Sequence, residues 1–590
     1  MVKMSKLRKK LIRDIKLNKS QFVTIFLMVF IGTLAYSGIE SYMKGMQVTA
    51  DTFYSENNLQ DLNVMGANFT ENDLNDIKEI ENVKDAERKL VVTANHITDG
   101  DKILSLSFIE TNNISKLYII DGENFDSNKS GVWLDNFYAI ENNLKVGDTI
   151  KIKYDDYTFE EEILGLINVP DHLYDVKDES ELFPDHSDFG FAYLSSNELK
   201  EYVKRRAMQN LNIQDEESFN NLVTDFNFKD NLIFNYIMVD VDNKENVSIV
   251  KDEIEEKIKN AIAIIKIEDS ASYRQYQGEI DEGKTYVGVF SGLFIFIAML
   301  SVVTTMTRVV NKQKIQIGTL KALGFKDRKI ILHYISYGFW ISAVAAILGI
   351  FAGYYLIGNM FISMEMAFFE IPNGAPIIEN KSYIVAAIIV LCVIFVTYLT
   401  CRKQLKEKPA DSLRNEMPKV KGNSLNLTTK GIFKQLSFVS KWNIRDMFRN
   451  KVRTITGIAG VTGCSMLIVC SFGMLDSMNH FIELQFEDLF NFDYKLVIKE
   501  DISEQDLDTL KEKYGDNTSQ SYLIEIKDKE GNKESNNIFI TDSKDYVRFI
   551  DNKENFIKVD NNEGVYITYK LAKTKGYEIG DTIEWHLTRK

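Results

Sequence analysis

The chain has 590 residues, with 85 acidic against 70 basic side chains and a formal net charge of −15. That length allows several domains, and the acidic balance argues against a nucleic-acid partner. The average conceals a segregation, because polar and apolar residues fall in separate blocks.

The first 21 residues hold eight Lys or Arg and one acid. An uncharged apolar run, Gln21–Ile39, follows; others lie at Thr285–Thr307, Ile330–Met364, Ser382–Cys401 and Thr454–Leu475. A helix of about 20 apolar residues crosses the hydrocarbon layer, so each run predicts a span. The first is too long for a signal-peptide core and no small-residue cleavage site follows it, which predicts an anchor. The third is longer than one straight crossing and predicts a span followed by an apolar outer turn or interfacial piece around Met360–Met364.

Charge sets the orientation. Arg308–Lys329 holds seven bases and one acid, and Arg402–Arg453 holds fourteen and four. Short loops rich in Lys and Arg stay on the cytoplasmic side. The predicted order is a cytoplasmic N-terminus at 1–21, a span at 22–41 and an outer domain at 42–284. A span at 285–308, a cytoplasmic segment at 309–329 and a span at 330–359 come next. An outer loop at 360–381, a span at 382–401 and a cytoplasmic linker at 402–453 follow. A span at 454–475 leads to a second outer domain at 476–590. The fold class is thus a polytopic α-helical protein of the cell membrane, in contact with lipid, with large α+β extracellular domains.

The first outer domain begins with a strand candidate, "DLNVMG", and then "TENDLNDIKEIENV". There Leu74, Ile77, Ile80 and Val83 recur at helical spacing behind a Thr70 cap with Asp73 three residues on. "KLVVTANH", "KILSLSFIE", "KLYIID", "GVWLD", "DTIKIKY" and "FEEEILGLINV" predict strands. "SSNELKEYVKRRAMQNL" predicts a helix, "FNYIMVDV" a strand and "KENVSIVKDEIEEKIKNAI" another helix. Strands and helices in mixed runs indicate an α+β domain.

The chain also repeats itself. "RDIKLNK" at Arg13–Lys19 matches "RDMFRNK" at Arg445–Lys451, and "DLNV" at Asp61–Val64 falls on "DYKL" at Asp493–Leu496. "GVWLDNFYAIENNLKVGDTI" at Gly131–Ile150 aligns without a gap on "GVYITYKLAKTKGYEIGDTI" at Gly564–Ile583. A nearly constant offset predicts a duplicated half, with the second copy incomplete.

Between the second and third spans lies "KQKIQIGTLKALGFKDRKI". Ile317, Leu320 and Leu323 recur at threes, Gly324 stands at a left-handed helix stop, and Asp327 favours the start of the next helix. In the third span Ala345, Gly349 and Gly353 recur every four residues. This small-residue face serves either packing within the chain or a dimer with a second permease copy. Two "PDH" triplets, Pro170–His172 and Pro184–His186 with Asp188 nearby, fit no compact metal spacing, so no metal site is expected. Neither H-E-x-x-H nor G-x-S-x-G occurs, and the spans lack the paired acids of intramembrane catalysis, so the chain is not expected to be an enzyme.

"QKIQIGTLKALGFKDRKI" resembles the signature of FtsX-like permease domains, R-x-x-E-I-G-x-L-[KR]-A-[LIM]-G-A-x-x-x-x-I, with Gln316 where the family usually has Glu. "CRKQLKEKPADSLR" is similar to the family's basic exit, and "GVWLDNFYAIENNLKVGDTI…EEEILGLINVPDHLY" to the outer core domain of MacB-type permeases. The resemblance implies a permease subunit of an ABC transporter of the MacB/FtsX type. Its segment between the second and third spans would seat in a separate ABC ATPase subunit through Ile317, Gly318, Leu320, Lys321, Ala322, Leu323, Gly324 and Arg328. ATP is expected in that partner, with no phosphate cradle of the G-x-x-x-x-G-K-[ST] type and no cofactor in this chain. The outer domains would move to export a lipid, lipoprotein or peptide, or to transmit force to cell-wall enzymes. A non-transporting receptor with ligand-binding outer domains is the competing expectation.

Overall fold

The computed structural model describes the chain apart from residues 1, 18, 99–101, 155–156, 178–180, 182, 211–212, 214–216, 220–233, 407–436, 450, 493–494, 497, 499–501, 516–518, 528–532, 542–545, 552, 558–563 and 588–590. Most of the basic linker, with its "PADSLR" stretch, lies outside the described residues. The chain forms two compact units. One comprises residues 1–49, 278–367 and 373–475; the other comprises 50–277, 368–372 and 476–590.

The first unit is helical. Among the described residues, five helices are long and apolar enough to cross a membrane: Lys19–Glu56, Ala271–Lys312, Asp327–Glu365, Asn380–Lys403 and Gly457–Leu489. The third runs as α-helix from Asp327 to Ala352, takes one wide π turn over Gly353–Gly358 and continues over Asn359–Glu365. Met360–Met364, expected as an outer turn or interfacial piece, are helical. An N-terminal helix, Val2–Leu17, and a short one, Lys314–Ala322, complete this unit's core with the first four long helices. Phe22, Ile25, Val29, Val302, Met306, Tyr334, Tyr337 and Val393 form its buried cluster.

The second unit contains a ten-stranded sheet. Its strands are β1 (Leu62–Phe69), β2 (Val83–His96), β3 (Lys102–Ile109), β4 (Tyr118–Gly122), β5 (Val132–Asp135), β6 (Thr149–Tyr154), β7 (Tyr157–Asn168), β8 (Phe189–Ser195), β9 (Phe234–Val241) and β10 (Ala261–Lys266). The order is β10-β1-β9-β2-β3-β8-β5-β7-β4, with β6 bridging β2 and β7. Most pairs are antiparallel; β3–β8 and β5–β7 are parallel. The helix Glu71–Lys78 starts with the expected capping box between Thr70 and Asp73 and buries Ile77 completely. Two expectations are corrected: the helix through "TENDLNDIKEIENV" ends at Lys78, with Val83 opening β2, and the helix through "KENVSIVKDEIEEKIKNAI" ends at Lys257, and Ala261–Ile262 begin β10. Ile258 turns extended at the boundary, and the β-branched run Ile262, Ile264 and Ile265 suits a strand paired with β1.

Local geometry recurs at an offset of 433. Thr70 caps with Asp73, and Ser503 caps the helix Glu504–Tyr514 with Asp506. Asp135 caps the helix Asn136–Glu141, and Thr568 caps Tyr569–Lys575. The two left-handed residues after the first, Asn143 and Gly147, correspond to left-handed Gly576 and Gly580. β11 (Ser519–Lys527) pairs antiparallel with β12 (Lys533–Thr541), as β2 does with β3.

Glu161 sits on the inward face of β7 between Phe159 and Ile163, at 9% exposure. Burial, then the neighbouring Glu198, pushes its carboxyl up to about 7. A carboxyl raised by folding supports stability below its ordinary value of 4.5 and loses that support as pH rises towards 7. Glu161→Gln is therefore expected to raise stability at pH 8 by as much as ~3 kcal/mol, with the gain vanishing near the ordinary carboxylate range. Thermal unfolding at both pH values tests this; an equal effect at each would refute it.

Candidate functional site

The helix Lys314–Ala322 follows Ala271–Lys312 after a single break at Gln313. Gln313 is buried, and its side-chain oxygen accepts from the Tyr334 hydroxyl at 2.8 Å and from Lys10 Nζ at 3.4 Å. Lys10 also pairs with Asp14. The Tyr337 hydroxyl donates to Asp14 Oδ2 at 2.9 Å and lies 3.1 Å from His333 Nε2. A polar network thus joins the N-terminal helix, the break and the start of the Asp327–Ala352 helix. The sequence carried one signal for it: Asp14 is the lone acid among eight bases. Exposed, that acid would only dilute the positive charge; at 4% exposure it is instead a partner of Lys10.

The expected contact residues divide into two sets. Ile317 and Gly318 are buried, Leu320 is half-buried, and they hold the short helix against its own unit. Lys321 also turns inward: its Nζ donates to the Leu405 carbonyl at 2.7 Å and lies 3.7 Å from Asp327. A cation on the last carbonyl of the Asn380–Leu405 helix offsets the negative end of that helix. Ala322, Leu323, Gly324 and Arg328 are exposed. Leu323, at 68% exposure, lines up with Thr319 and with Ile315, which is 50% exposed. Residues four apart share one helix face, so the outward apolar stripe is Ile315–Thr319–Leu323 rather than Ile317–Leu320–Leu323. Ile315 is the residue that reading at threes missed.

The helix stop is built as its sequence suggests. Gly324 has φ +78°. The Phe325 N–H bonds the Leu320 carbonyl at 3.1 Å and the Gly324 N–H bonds that of Lys321 at 3.0 Å. This double closure is a Schellman-type stop, in which a residue with a Cβ would be strained.

Gly349 and Gly353 face the Lys19–Glu56 helix of the same chain, and Ala345 is buried in the same unit's core. A Cβ on Gly349 would lie 1.9 Å from Thr33 Oγ1; one on Gly353 would lie 2.5 Å from the Leu34 carbonyl oxygen. The structure brings the two glycines of this stripe to an intramolecular helix contact.

The letters of a phosphate-binding loop do occur once, at Gly278–Thr285, "GEIDEGKT". The expectation that they are absent is corrected, but the segment lies inside the continuous helix Ala271–Lys312. Backbone N–H groups in a helix interior are bonded to carbonyls four residues back and cannot cradle phosphate.

The two "PDH" triplets have different surroundings. His172 lies 2.6 Å from Asp175, and Asp171 lies 3.3 Å from Lys89. Burial opposes the charge on His172, yet Asp175 and Asp171 outweigh it and raise its pKa. Burial likewise opposes ionisation of Asp171, but Lys89 and then His172 hold it below the usual carboxylate range. His186 meets Asp135 and Glu370. Burial pushes Asp135 up to about 7, and burial with the nearby Asp135 raises Glu370 well above its usual range.

Residues 288–409 match the family model described as FtsX-like permease C-terminal. Among solved structures, the chain is similar to the extracellular domain of the noncanonic ABC-type transporter YknZ from Gram-positive bacteria. The identity is 15% and the TM-score 0.22, covering 35% of this chain and 98% of that one. It is also similar to the periplasmic region of MacB from Actinobacillus actinomycetemcomitans, at 12% identity and TM-score 0.22, covering 38% of this chain and 92% of that one. No curated protein matches the chain.

Proposed function

From a chain that carries an FtsX-like permease domain at residues 288–409, we infer a membrane subunit of an ABC transporter that docks a separate ATPase on the Lys314–Ala322 helix. The observation that carries this reading is the pairing of a fixed inner face with an open outer one. Gln313, Ile317 and Lys321 anchor the helix, while Ile315, Thr319 and Leu323 leave an apolar stripe uncovered. A load applied to that stripe would pass into the anchored helices instead of bending a loose loop. Exposed apolar residues on a rigid base, rimmed by Lys326, Arg328 and Lys329, suit a partner with an apolar cleft and acidic edges.

In this reading the basic segments, including the N-terminus, face the cytoplasm, and the sheet-bearing domain lies outside. The helices Lys19–Glu56 and Ala271–Lys312 contribute residues to both units without a break, which supports transmission of movement from the ATPase to the outer domain. That movement would expel a lipid, lipoprotein or peptide, or act on a cell-wall enzyme. The recurring caps and left-handed turns at one offset support a duplicated half, whose second copy would supply a pseudo-dimer partner.

Sidedness tests the proposal. In a chain freed of its four native cysteines, Leu323→Cys is expected to resist a membrane-impermeant thiol reagent in intact cells and to react after permeabilisation. Labelling in intact cells would place the stripe outside, beyond reach of any ATPase.

A further inference from the structure

Within the sheet-bearing unit, three side chains from distant parts of the sequence converge. Asp135 ends β5, His186 lies in the turn before β8, and Glu370 lies in the segment 368–372. One ligand atom from each lies within 4.8 Å of the other two. Asp135 is 0% and Glu370 1% exposed. Asp135 Oδ2, Glu370 Oε2 and His186 Nε2 are all buried without a hydrogen-bond partner. His186 Nδ1 lies 3.4 Å from Glu370 Oε1.

Each side chain is held in place by other contacts. Asp135 Oδ1 accepts from the Phe137 N–H at 2.8 Å as a helix cap, leaving Oδ2 turned to the cluster. The Phe137 ring lies against His186, with centroids 5.1 Å apart. The backbone of Glu370 is fixed at both ends: its N–H donates to the Leu173 carbonyl at 2.9 Å and its carbonyl accepts from Asn168 Nδ2 at 3.1 Å. Two carboxyl groups facing each other in a buried site, with no Lys or Arg between them among the described residues, carry a desolvation cost that a bound cation offsets.

We propose that Asp135, His186 and Glu370 bind a divalent transition-metal ion. The donor set selects the class. Imidazole favours zinc-like ions over calcium or magnesium, two carboxylates add hard oxygen, and their charges together balance a divalent cation. Metal–donor lengths of about 2.0–2.2 Å place neighbouring ligands roughly 3–4 Å apart, so a small inward movement closes the site. Entry is through His186, whose side chain is 11% exposed while Glu370 is 2%. The ion would fasten the segment 368–372 to the end of β5. In the repeat, Thr568 stands at the position of Asp135, so the site belongs to the first copy.

The test uses the full chain in detergent, with Zn²⁺ or Mn²⁺ as the only added ligand. After exhaustive dialysis it is expected to retain about one ion per chain and to unfold at a higher temperature than the chelator-treated protein. Glu370→Gln and His186→Gln, each neutral and of similar size, are expected to weaken binding by at least about tenfold and to abolish the thermal shift. Either variant suffices if the other fails to fold. The proposal is overturned if the wild type retains no metal and its unfolding is metal-independent, which would leave a carboxyl pair sharing a proton. It is equally overturned if a folded variant binds and shifts as the wild type does, which would place the ion at other His or Cys side chains.

Discussion

Gly353→Ala is expected to lower the stability of the membrane unit by about 3 kcal/mol or more, the top of the usual overpacking range. The added methyl would sit 2.5 Å from the Leu34 carbonyl oxygen and 2.8 Å from the Gly38 nitrogen, both backbone atoms of the Lys19–Glu56 helix. Backbone cannot rotate away, so the two helices must separate. A Cβ added at Gly38 would likewise lie 2.5 Å from Ile357 Cβ, so the two helices are closely packed over more than one turn and separation loosens contacts along it. In lipid there is little hydrophobic force to restore them, because helix association there depends on close packing. Gly349→Ala is expected to cost somewhat less: the Thr33 hydroxyl, 1.9 Å from the added methyl, can turn away, and only one backbone atom, the Phe30 carbonyl oxygen, lies within 3.0 Å, at 2.8 Å. Gly460→Ala, with nothing within 4 Å, should be neutral or gain the modest helix preference of alanine, up to about 1 kcal/mol. Thermal unfolding of the three purified variants tests the order. If Gly353→Ala behaves like Gly460→Ala, the contact is not what holds these helices together.

The double variant Ile315→Glu/Leu323→Glu is expected to lose ATPase co-purification and stimulated hydrolysis by at least about tenfold, while its own unfolding temperature stays unchanged. Both side chains are at least half exposed, so the fold has no stake in them. Removing apolar anchors at the centre of an interface commonly costs 2 kcal/mol or more, and placing carboxylates opposite acidic groups adds repulsion. Substitutions at Gly318 or Lys321 would be ambiguous. Gly318 is buried, and Lys321→Glu would set a negative charge against the Leu405 carbonyl that Lys321 now caps. Lys321→Glu should therefore lower stability even without a partner. Should the double variant bind and stimulate the ATPase as wild type does, the docking surface lies elsewhere.

Several features were readable locally because they depend on neighbours in sequence. The apolar runs correspond to five long helices, Thr70 and Asp73 form a capping box, and Gly324 adopts the left-handed stop. Each requires only a few adjacent residues and the geometry of one turn. β10 was misread as a helix tail because a short apolar run has no clear period, and only pairing with β1 decides it.

What the linear order of residues settled on its own was the alternation of apolar and basic blocks, and with it a membrane protein carrying a short, glycine-stopped basic helix. Which way that helix faces was decided only in three dimensions. Lys321 is a helix cap because Leu405 arrives from 84 positions away, and Ile315 is outward because Ile317 and Gly318 find cover. Asp135, His186 and Glu370 meet for the same reason: sheet order and the pinned segment 368–372 bring them together. Periodicity and capping act over a few residues along the chain, whereas burial depends on which distant segment occupies the neighbouring space.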